Sequence, residues 1–277
     1  MPEIVDPYTG LKLWELSHIW GHGAPSYPGQ ADVAMRRAVK HSQHGVLSWR
    51  IATSMHTGTH MNAPIHLVQG GADLSELDPG LFFGNGIVLD IPKARYETIT
   101  DTDLEAAGAR VKANDIVVIV TGWHTRYADS LEYFGESPGL SRAAAEWLVA
   151  KQVKIVAVDT PQVDHPLATS LGPHRGGPLM KRLAGEYESA TGLDPKREHG
   201  EWNIAHKTLL SNGIPTIEQV GGDVSELVGR RFTFAATPWK LEKGDACPVR
   251  LIAMADPTGS LRLPAGDATA RREGEVA

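Results

Sequence analysis

Residues 115–120, Asp115-Ile116-Val117-Val118-Ile119-Val120, form a short apolar run that is followed at once by Thr121-Gly122. Every residue after the aspartate is β-branched, and no polar residue alternates with them. A continuous run of this length, bounded by turn residues, indicates a buried strand. The stretch therefore favours a fold in which a sheet is covered by other layers.

The segments on either side alternate between strand and helix patterns, although not strictly. Strands are predicted at residues 86–91, 154–158, 214–220, 231–236 and 249–255. Helices are predicted at residues 102–108 with a capping box Thr102-Asp103-Leu104-Glu105, at 141–152 with a Ser141 cap, and at 206–212 with an Asn212-Gly213 stop. Because βα units are mixed with strands that follow each other directly, we expect an α/β protein with a mixed, curved or barrel-like sheet.

Candidate motifs are spread along the chain, so we expect one domain over residues 1–264. Residues 165–203 are rich in proline and glycine and are long for a connection inside a compact domain. We interpret them as an insertion that forms a lid or an intersubunit element beside His206. The alternative is a surface excursion with no role at the site. Residues 265–277 are small and charged and are predicted to form a disordered tail.

Composition narrows the class of protein. The net charge is -6 with no basic cluster, which argues against nucleic acid as a partner. The single cysteine, Cys247, excludes an internal disulfide and suits a reducing cytoplasm. The sequence contains no long apolar run, and its first residues are charged early, so we expect neither a membrane span nor a signal peptide.

Three histidines and an asparagine share even positions in the stretch His56-Thr57-Gly58-Thr59-His60-Met61-Asn62-Ala63-Pro64-Ile65-His66. Because side chains alternate along an extended chain, a strand-like conformation would point all four the same way. A helix is disfavoured by the glycine, threonine and proline. Converging imidazole nitrogens are what zinc or manganese requires, so the stretch predicts a divalent metal site. Asn62 either ligates the metal or hydrogen-bonds its own backbone.

The same stretch resembles the signature of the metal-dependent cyclase family, which includes bacterial kynurenine formamidases and isatin hydrolases. The family pattern is His-x-Gly-Thr-His-x-Asp-x-Pro-x-His, and Asn62 stands where the family has a metal-binding aspartate. Further similar segments keep the family's order from about residue 13 to residue 255: Leu13-Trp14-Glu15-Leu16-Ser17-His18, Tyr27-Pro28-Gly29, Thr121-Gly122-Trp123, Gly139-Leu140-Ser141, Val158-Asp159-Thr160-Pro161, His206 to Leu210, Ile217-Glu218 and Pro248-Val249-Arg250. The resemblance implies a swivelling β/β/α fold.

The resemblance also implies a metal site with ligands from both halves of the chain: His56, His60, Asn62, His206 and Glu218. A divalent cation there would lower the pKa of a bound water towards neutrality, and the hydroxide would attack a carbonyl. His66 is the predicted general base and then the proton donor to the leaving nitrogen. With a single metal, Glu218 would orient the water or share the proton transfer.

The carboxamide at position 62 keeps an oxygen ligand but removes one negative charge. A pair of cations is then harder to hold, because their repulsion is less screened. We therefore predict one metal ion per subunit, Mn²⁺ or Zn²⁺, and expect Glu218 to be the most important ligand after His56 and His60.

Aromatic residues near the motifs predict an aromatic or cyclic amide as the substrate. Trp123 resembles the family's substrate-facing aromatic residue, although it is equally compatible with a core position, and Trp20 and Tyr27 are the other predicted substrate contacts. Asp159 and Asp164 either orient histidines or cap turns.

Three functions are consistent with these features. The first, which we favour, is hydrolysis of an amide-type C–N bond, in an N-formyl amide or a lactam. The second is a cyclase or dehydratase on the same fold, and the third is a metal-free binding protein. The resemblance further implies a homodimer or homotetramer in which a loop around residues 31–45 reaches the neighbouring subunit's site. Its histidines, His41 and His44, are expected on the surface.

Overall fold

The apolar run that ends at Val120 forms a strand near the middle of a ten-stranded mixed sheet. The computed structural model describes residues 4–174, 177–257 and 259. Within them the strands are β1 (Ile4–Val5), β2 (Lys12–Glu15), β3 (Ala34–Val39), β4 (Ser48–Ala52), β5 (His60–Asn62), β6 (Phe83–Asp90), β7 (Thr98–Ile99), β8 (Ile116–Val120), β9 (Gly139–Leu140), β10 (Ile155–Val158), β11 (Thr216–Glu218), β12 (Arg231–Ala235), β13 (Ala246–Pro248) and β14 (Ile252–Ala255). The helices are α1 (His41–His44), α2 (Asp101–Ala107), α3 (Leu131–Gly135), α4 (Arg142–Ala150), α5 (Leu183–Thr191), α6 (Pro195–Glu198) and α7 (Ile204–Ser211).

The large sheet has the strand order β1-β2-β14-β12-β6-β8-β10-β11-β5-β13. Strands β6, β8, β10 and β11 run parallel to one another, and the remaining neighbours are antiparallel. The mixed α/β sheet is therefore confirmed. Its terminal strands β1 and β13 do not pair in the part of the chain that the structure describes, so the sheet is open rather than a closed barrel.

Both faces of the central strands are buried, because apolar side chains alternate between two clusters. Val117 and Ile119 pack with residues of α2, α4 and α7, whereas Ile116 and Val118 belong to the cluster on the opposite face. Each such side chain contributes about 1.5–3 kcal/mol through burial. The second cluster joins β5 and β12, although four strands separate them in the sheet. The sheet is therefore strongly curved.

The observed N-cap of helix α2 is Thr100, two residues before Thr102, the cap predicted from the sequence. Thr100 accepts a hydrogen bond from the backbone N–H of Asp103, and the Asp103 side chain accepts one from the backbone N–H of Thr100. The predicted cap, Thr102, lies inside α2 instead. Each threonine has an acidic residue three positions later, Asp103 after Thr100 and Glu105 after Thr102. The capping-box pattern alone therefore did not select between them. The Ser141 cap of α4 is observed as predicted.

The segment 165–203 contains α5 and α6 and packs onto the domain through aromatic and histidine side chains. The rings of His165 and His199 stack with their centroids 3.7 Å apart. His165 accepts a hydrogen bond at Nδ1 from Leu167 and faces the carbonyl of Tyr96 at Nε2. Since the carbonyl only accepts, Nε2 carries the proton, and since Nδ1 accepts from the N–H of Leu167, the imidazole of His165 is neutral.

Lowering the pH should destabilise this segment through the two stacked histidines. Burial lowers the pKa of His165 well below its usual value and, together with His174, lowers the pKa of His199 to about 4. Between that value and the ordinary histidine pKa of about 6.5, the unfolded chain binds more protons than the folded chain. The contribution of these two histidines to the free energy of unfolding should therefore be constant above this window and fall as the pH decreases through it.

Urea unfolding at about pH 7 and about pH 4.5 measures this effect. A His199→Phe variant keeps a stacked ring that cannot be protonated, so it should lose about 1 kcal/mol less stability between the two pH values than the parent protein. His44→Phe, at an exposed position, is the matched control. Equal pH dependence in the parent and in His199→Phe would contradict the prediction.

Three sequence expectations concern a membrane span, the single cysteine and the C-terminal tail. Among the described residues, no helix is long and apolar enough to cross a membrane. Cys247 is fully buried in β13, so it is a packed thiol. The predicted disordered tail, residues 265–277, lies outside the described residues.

Candidate metal centre and active site

Two neighbouring strands and one helix place the predicted ligands together. In the antiparallel pair β5–β11, Glu218 lies opposite His60 and Thr216 lies opposite Asn62. Helix α7 packs against β11 and carries His206 onto the same face. The sheet register therefore joins residues that are about 150 positions apart in the sequence, and all four predicted ligands from these elements are buried.

At the centre of the site, one carboxylate lies between two imidazoles. Nε2 of His60 is 3.1 Å from Oε2 of Glu218, and Nε2 of His206 is 3.1 Å from Oε1. His60 donates from Nδ1 to the carbonyl oxygen of Gly58 (2.8 Å), and His206 donates from Nδ1 to Asp164 (2.9 Å). Because each Nδ1 carries a hydrogen, each neutral ring directs a lone pair from Nε2 towards the carboxylate.

The carboxylates of Asp159 and Asp164 have different hydrogen-bond partners. Asp164 accepts the backbone N–H groups of Ala205 and His206 at the start of α7, and it also orients the imidazole of His206. It therefore both caps a helix and fixes a site histidine. Asp159 accepts backbone N–H groups of the turn after β8 and the Nδ1–H of His124, away from the candidate ligands.

Asn62 lies inside the cluster with one of its polar atoms unsatisfied. Nδ2 lies 3.1 Å from the hydroxyl oxygen of Thr216 and 3.2 Å from Nε2 of His206. Oδ1 is buried and has no hydrogen-bond partner among the described residues. The side chain thus hydrogen-bonds across the strand pair rather than to its own backbone, and its oxygen is available as a ligand.

The histidine stretch is not the single strand that the even spacing suggested. Only His60–Asn62 pairs as a strand, Gly58 before it has a φ of +62°, and Pro64–His66 forms a 3-10 turn. The left-handed glycine and the proline break the alternation of side chains. His56 and His66 nevertheless lie beside the centre, with ring centroids 5.2 Å from that of His60 and 5.8 Å from that of His206, respectively. The two bends bring the ring centroids of His56 and His66 within 4.4 Å of each other.

A carboxylate that the sequence reasoning missed contacts both of these histidines. Oδ2 of Asp245 is 3.0 Å from Nε2 of His56 and 3.3 Å from Nδ1 of His66. One nitrogen from each ring and one oxygen of Asp245 lie within 4.8 Å of one another. No local motif marks Asp245. Its place is set by the pairing of the strand that follows it with the histidine strand, which only the structure reveals.

The electrostatic field of the cluster changes the proton affinity of its members. Burial alone would lower the pKa of His206, but the charge of Glu218 and the hydrogen bond to Asp164 raise it to about 10. Burial alone would raise the pKa of Glu218, but His206 and His60 lower it well below the usual value. Hydrogen bonds from His56 and His66 lower the pKa of Asp245. Burial lowers the pKa of His66, against the opposing hydrogen bond to Asp245.

The donor set fits a divalent cation. Two buried imidazole nitrogens and two carboxylate oxygens face each other across 3.1 Å, an arrangement that protons on the imidazoles or a cation between or beside the groups would stabilise. The unpaired Oδ1 of Asn62 adds a neutral oxygen. Imidazole and carboxylate ligands suit zinc and manganese, and hydrogen bonds on each Nδ1 are typical of metal-bound histidines.

A cavity of about 270 Å³ opens onto this cluster. His66, His206, Glu218 and Tyr27 form part of its wall. The segment 165–203 supplies further wall residues with neutral polar and aromatic side chains: Thr169, Ser170, Trp202 and Asn203. Trp202, four residues before His206, is one of the aromatic residues near the motifs that favoured an aromatic ligand, although it was not among the three specific contacts predicted.

The structure places the other two predicted substrate contacts away from this cavity. Trp123 is fully buried in an aromatic cluster, where its indole N–H donates to the carbonyl oxygen of Tyr133. Trp20 packs over the glycine of the histidine stretch, since a Cβ on Gly58 would lie 2.9 Å from its ring. Of the three aromatic residues, Tyr27 alone lines the cavity, and it donates a hydrogen bond to Thr169.

Comparisons with known proteins find relatives along most of the chain. A family model described as "Putative cyclase" matches residues 14–165. A kynurenine formamidase from Bacillus cereus is 23% identical over 239 residues, which cover 86% of this chain and 95% of that protein. An isatin hydrolase bound to the product analogue thioisatinate has a similar structure, with a TM-score of 0.70 at 19% identity over 89% of this chain and 93% of that one.

A protein from Bacillus stearothermophilus, described as a predicted metal-dependent hydrolase, also has a similar structure. The TM-score is 0.62 at 23% identity, over 88% of this chain and 98% of that one. These structures share the mixed α/β architecture, so the fold expected from the sequence is confirmed.

Proposed function

We propose that this chain, which belongs to the cyclase family that its histidine stretch resembles, is a metal-dependent hydrolase of amide-type C–N bonds other than peptide bonds. Its substrate is a small molecule, an N-formyl amide or a cyclic amide. The observation that carries the proposal is the pair of imidazoles on the two oxygens of Glu218, beside a cavity of small-molecule size. Relatives named kynurenine formamidase and isatin hydrolase support this class of bond.

The position of each residue in the site indicates its proposed role. His60, His206, Glu218 and the oxygen of Asn62 are the central candidate ligands, and His56, the fifth predicted ligand, lies beside them with its ring centroid 5.2 Å from that of His60. A bound divalent cation supplies Lewis acidity and lowers the pKa of water. His66 lines the cavity and accepts a proton from the attacking water, then returns it to the leaving nitrogen. Both oxygens of Glu218 face imidazoles, which supports a ligand role before a proton-transfer role.

The metal content of the purified protein tests the first half of this proposal. We expect about one equivalent of Mn²⁺ or Zn²⁺ per chain, because Asn62 contributes no charge to a second cation. An Asn62→Asp variant restores a carboxylate at the strand pair and should raise the content towards two equivalents. Elemental analysis of protein purified without chelator or nickel resin measures both values.

Asn212→Asp makes the same chemical change at an exposed position after α7 and should leave the metal content unchanged. Absence of metal from the parent protein, even after manganese or zinc is supplied, would contradict the proposed mechanism and leave the histidines as a metal-free binding or acid–base site.

Oxygen-labelled water tests whether the reaction is a hydrolysis. A hydrolase incorporates oxygen from water into the carboxylate product, whereas a cyclase or dehydratase on the same fold polarises a carbonyl without water attack. N-formyl aryl amides and bicyclic lactams are the substrates to screen, because Tyr27 and Trp202 border the cavity. Turnover without incorporated label would favour the cyclase alternative.

The assembly state is part of the proposal. We expect a homodimer or homotetramer, and the β3–β4 hairpin supports it. A two-stranded hairpin is marginally stable alone, and this one exposes Val46, Leu47, Trp49 and Ile51. His41 and His44 on its connection are exposed. Sedimentation measurements on the parent protein and on Trp49→Ser test the expectation.

The segment 165–203 would act as a lid over the cavity that it lines. The single cysteine supports a cytoplasmic location.

A further inference from the structure

We propose that Asp245 is a positioning residue that orients His66 and fixes which of its ring nitrogens carries the proton. The inference rests on the proposed function, in which His66 is the general base. Oδ2 of Asp245 lies 3.3 Å from Nδ1 of His66. A carboxylate oxygen only accepts, so Nδ1 carries the hydrogen and the lone pair of the neutral ring lies on Nε2. His66 lines the cavity, where that lone pair can take a proton from water.

The sheet holds Asp245 in this position. The residue directly precedes β13, whose Ala246 is paired with Asn62 of the histidine strand. The backbone N–H of Ala63 donates to the carbonyl of Asp245 at 2.8 Å, which extends the ladder by one residue. On the other side, the backbone N–H of Lys243 donates to Asp73 at 2.6 Å. The backbone around Asp245 is therefore anchored on both sides by hydrogen bonds, so the side chain does not project from a free loop.

The chemistry of the contact gives Asp245 a task. A carboxylate on one nitrogen of an imidazole fixes the tautomer and stabilises the imidazolium that forms when the other nitrogen takes a proton, as in Ser-His-Asp hydrolases. The side chain of Asp245 is 47% exposed, so it remains charged and loses little solvation. Its second contact, to Nε2 of His56, limits the rotation of the carboxylate.

The competing role for Asp245 is that of a metal ligand. Nitrogens of His56 and His66 and an oxygen of Asp245 lie within 4.8 Å of one another, close enough to share a cation. Such a site would occupy the nitrogen of His66 that the proposal assigns to a hydrogen bond. The two roles therefore predict opposite effects of Asp245 on metal content.

Two variants and a control separate the roles. Asp245→Ala removes the carboxylate, Asp245→Glu keeps one at a half-exposed position where a longer side chain has room, and Glu242→Ala changes an exposed neighbour. For Asp245→Ala we expect unchanged zinc content, a fall in kcat of about 100-fold and a KM within about threefold of the parent value. Asp245→Glu should recover kcat to within about tenfold of the parent value. The control should match the parent protein.

The tautomer of His66 is measured without substrate. Long-range ¹H–¹⁵N spectra of the zinc-loaded protein, with His66 assigned by the signals lost in His66→Gln, should show the proton on Nδ1 in the parent protein and in Asp245→Glu. In Asp245→Ala that preference should disappear. Loss of zinc in Asp245→Ala, an unchanged tautomer, or a kcat within about threefold of the parent value would each overturn the proposal. A parent protein with the expected tautomer that hydrolyses none of the amides would refute the proposed function instead.

Discussion

Replacing Glu218 by alanine should remove the bound metal and lower kcat/KM by at least about 1000-fold. Glu218 is the one carboxylate with oxygens facing both His60 and His206 in the described part of the chain, so its loss leaves the cation with neutral ligands at the centre of the site. Elemental analysis and steady-state kinetics on the same preparation measure both effects.

Alanine at this position also removes a structural contact, because Oε1 of Glu218 accepts the backbone N–H of Val163 at 2.8 Å. An unsatisfied buried donor costs about 1–3 kcal/mol. Glu218→Gln keeps an oxygen of the same reach for Val163 but removes the charge, so it separates the two effects. We expect it to fold and still to lose metal. Glu226→Gln, at an exposed position, is the matched control. Full metal and activity in Glu218→Ala would exclude Glu218 as a ligand.

Replacing His66 by glutamine should lower kcat by about 100- to 10,000-fold while the metal content stays at the parent value. His66 contacts Asp245 rather than Glu218, and its ring lies 5.8 Å from that of His206, so the central ligands do not depend on it. Glutamine keeps a polar side chain of similar length but cannot take up a proton near neutral pH.

The measurement for His66 is kinetic and analytical at once. Single-turnover rates of amide cleavage report the chemical step, and metal analysis reports the ligands. His44→Gln, on the exposed α1, makes the same change away from the site and should behave like the parent protein. A His66→Gln variant that retains its kcat would remove His66 from the reaction. A variant that loses its metal would instead make His66 a ligand.

The sequence predicted the parts of the site that local patterns encode. The histidine spacing located His56, His60 and His66, and the β-branched run located the central strand. The period-2 argument was wrong in detail, because Gly58 in a left-handed conformation and Pro64 in a turn replace a continuous strand. The histidines still converge, since pairing with β11 and β13 fixes the strand between the two bends.

Contacts across the sheet could not be read from the sequence. Asp245 lies 179 residues from His66 and is brought to it by strand register, which depends on the whole sheet. Trp123 follows a strand in a pattern typical of the family, yet its indole N–H finds a buried backbone partner and the ring joins the core. Trp202 carried no distinguishing pattern, because its place at the cavity is set by the path of a long insertion.

The strand that carries His60 has β11 and β13 as its neighbours, and both are made from residues beyond position 215. During synthesis, the histidine stretch therefore leaves the ribosome about 150 residues before either partner strand exists. At that stage the three histidines of this stretch are without Glu218 and Asp245, the carboxylates that would neutralise a cation beside them. The complete donor set of the proposed site therefore exists only after β11 and β13 have paired with β5.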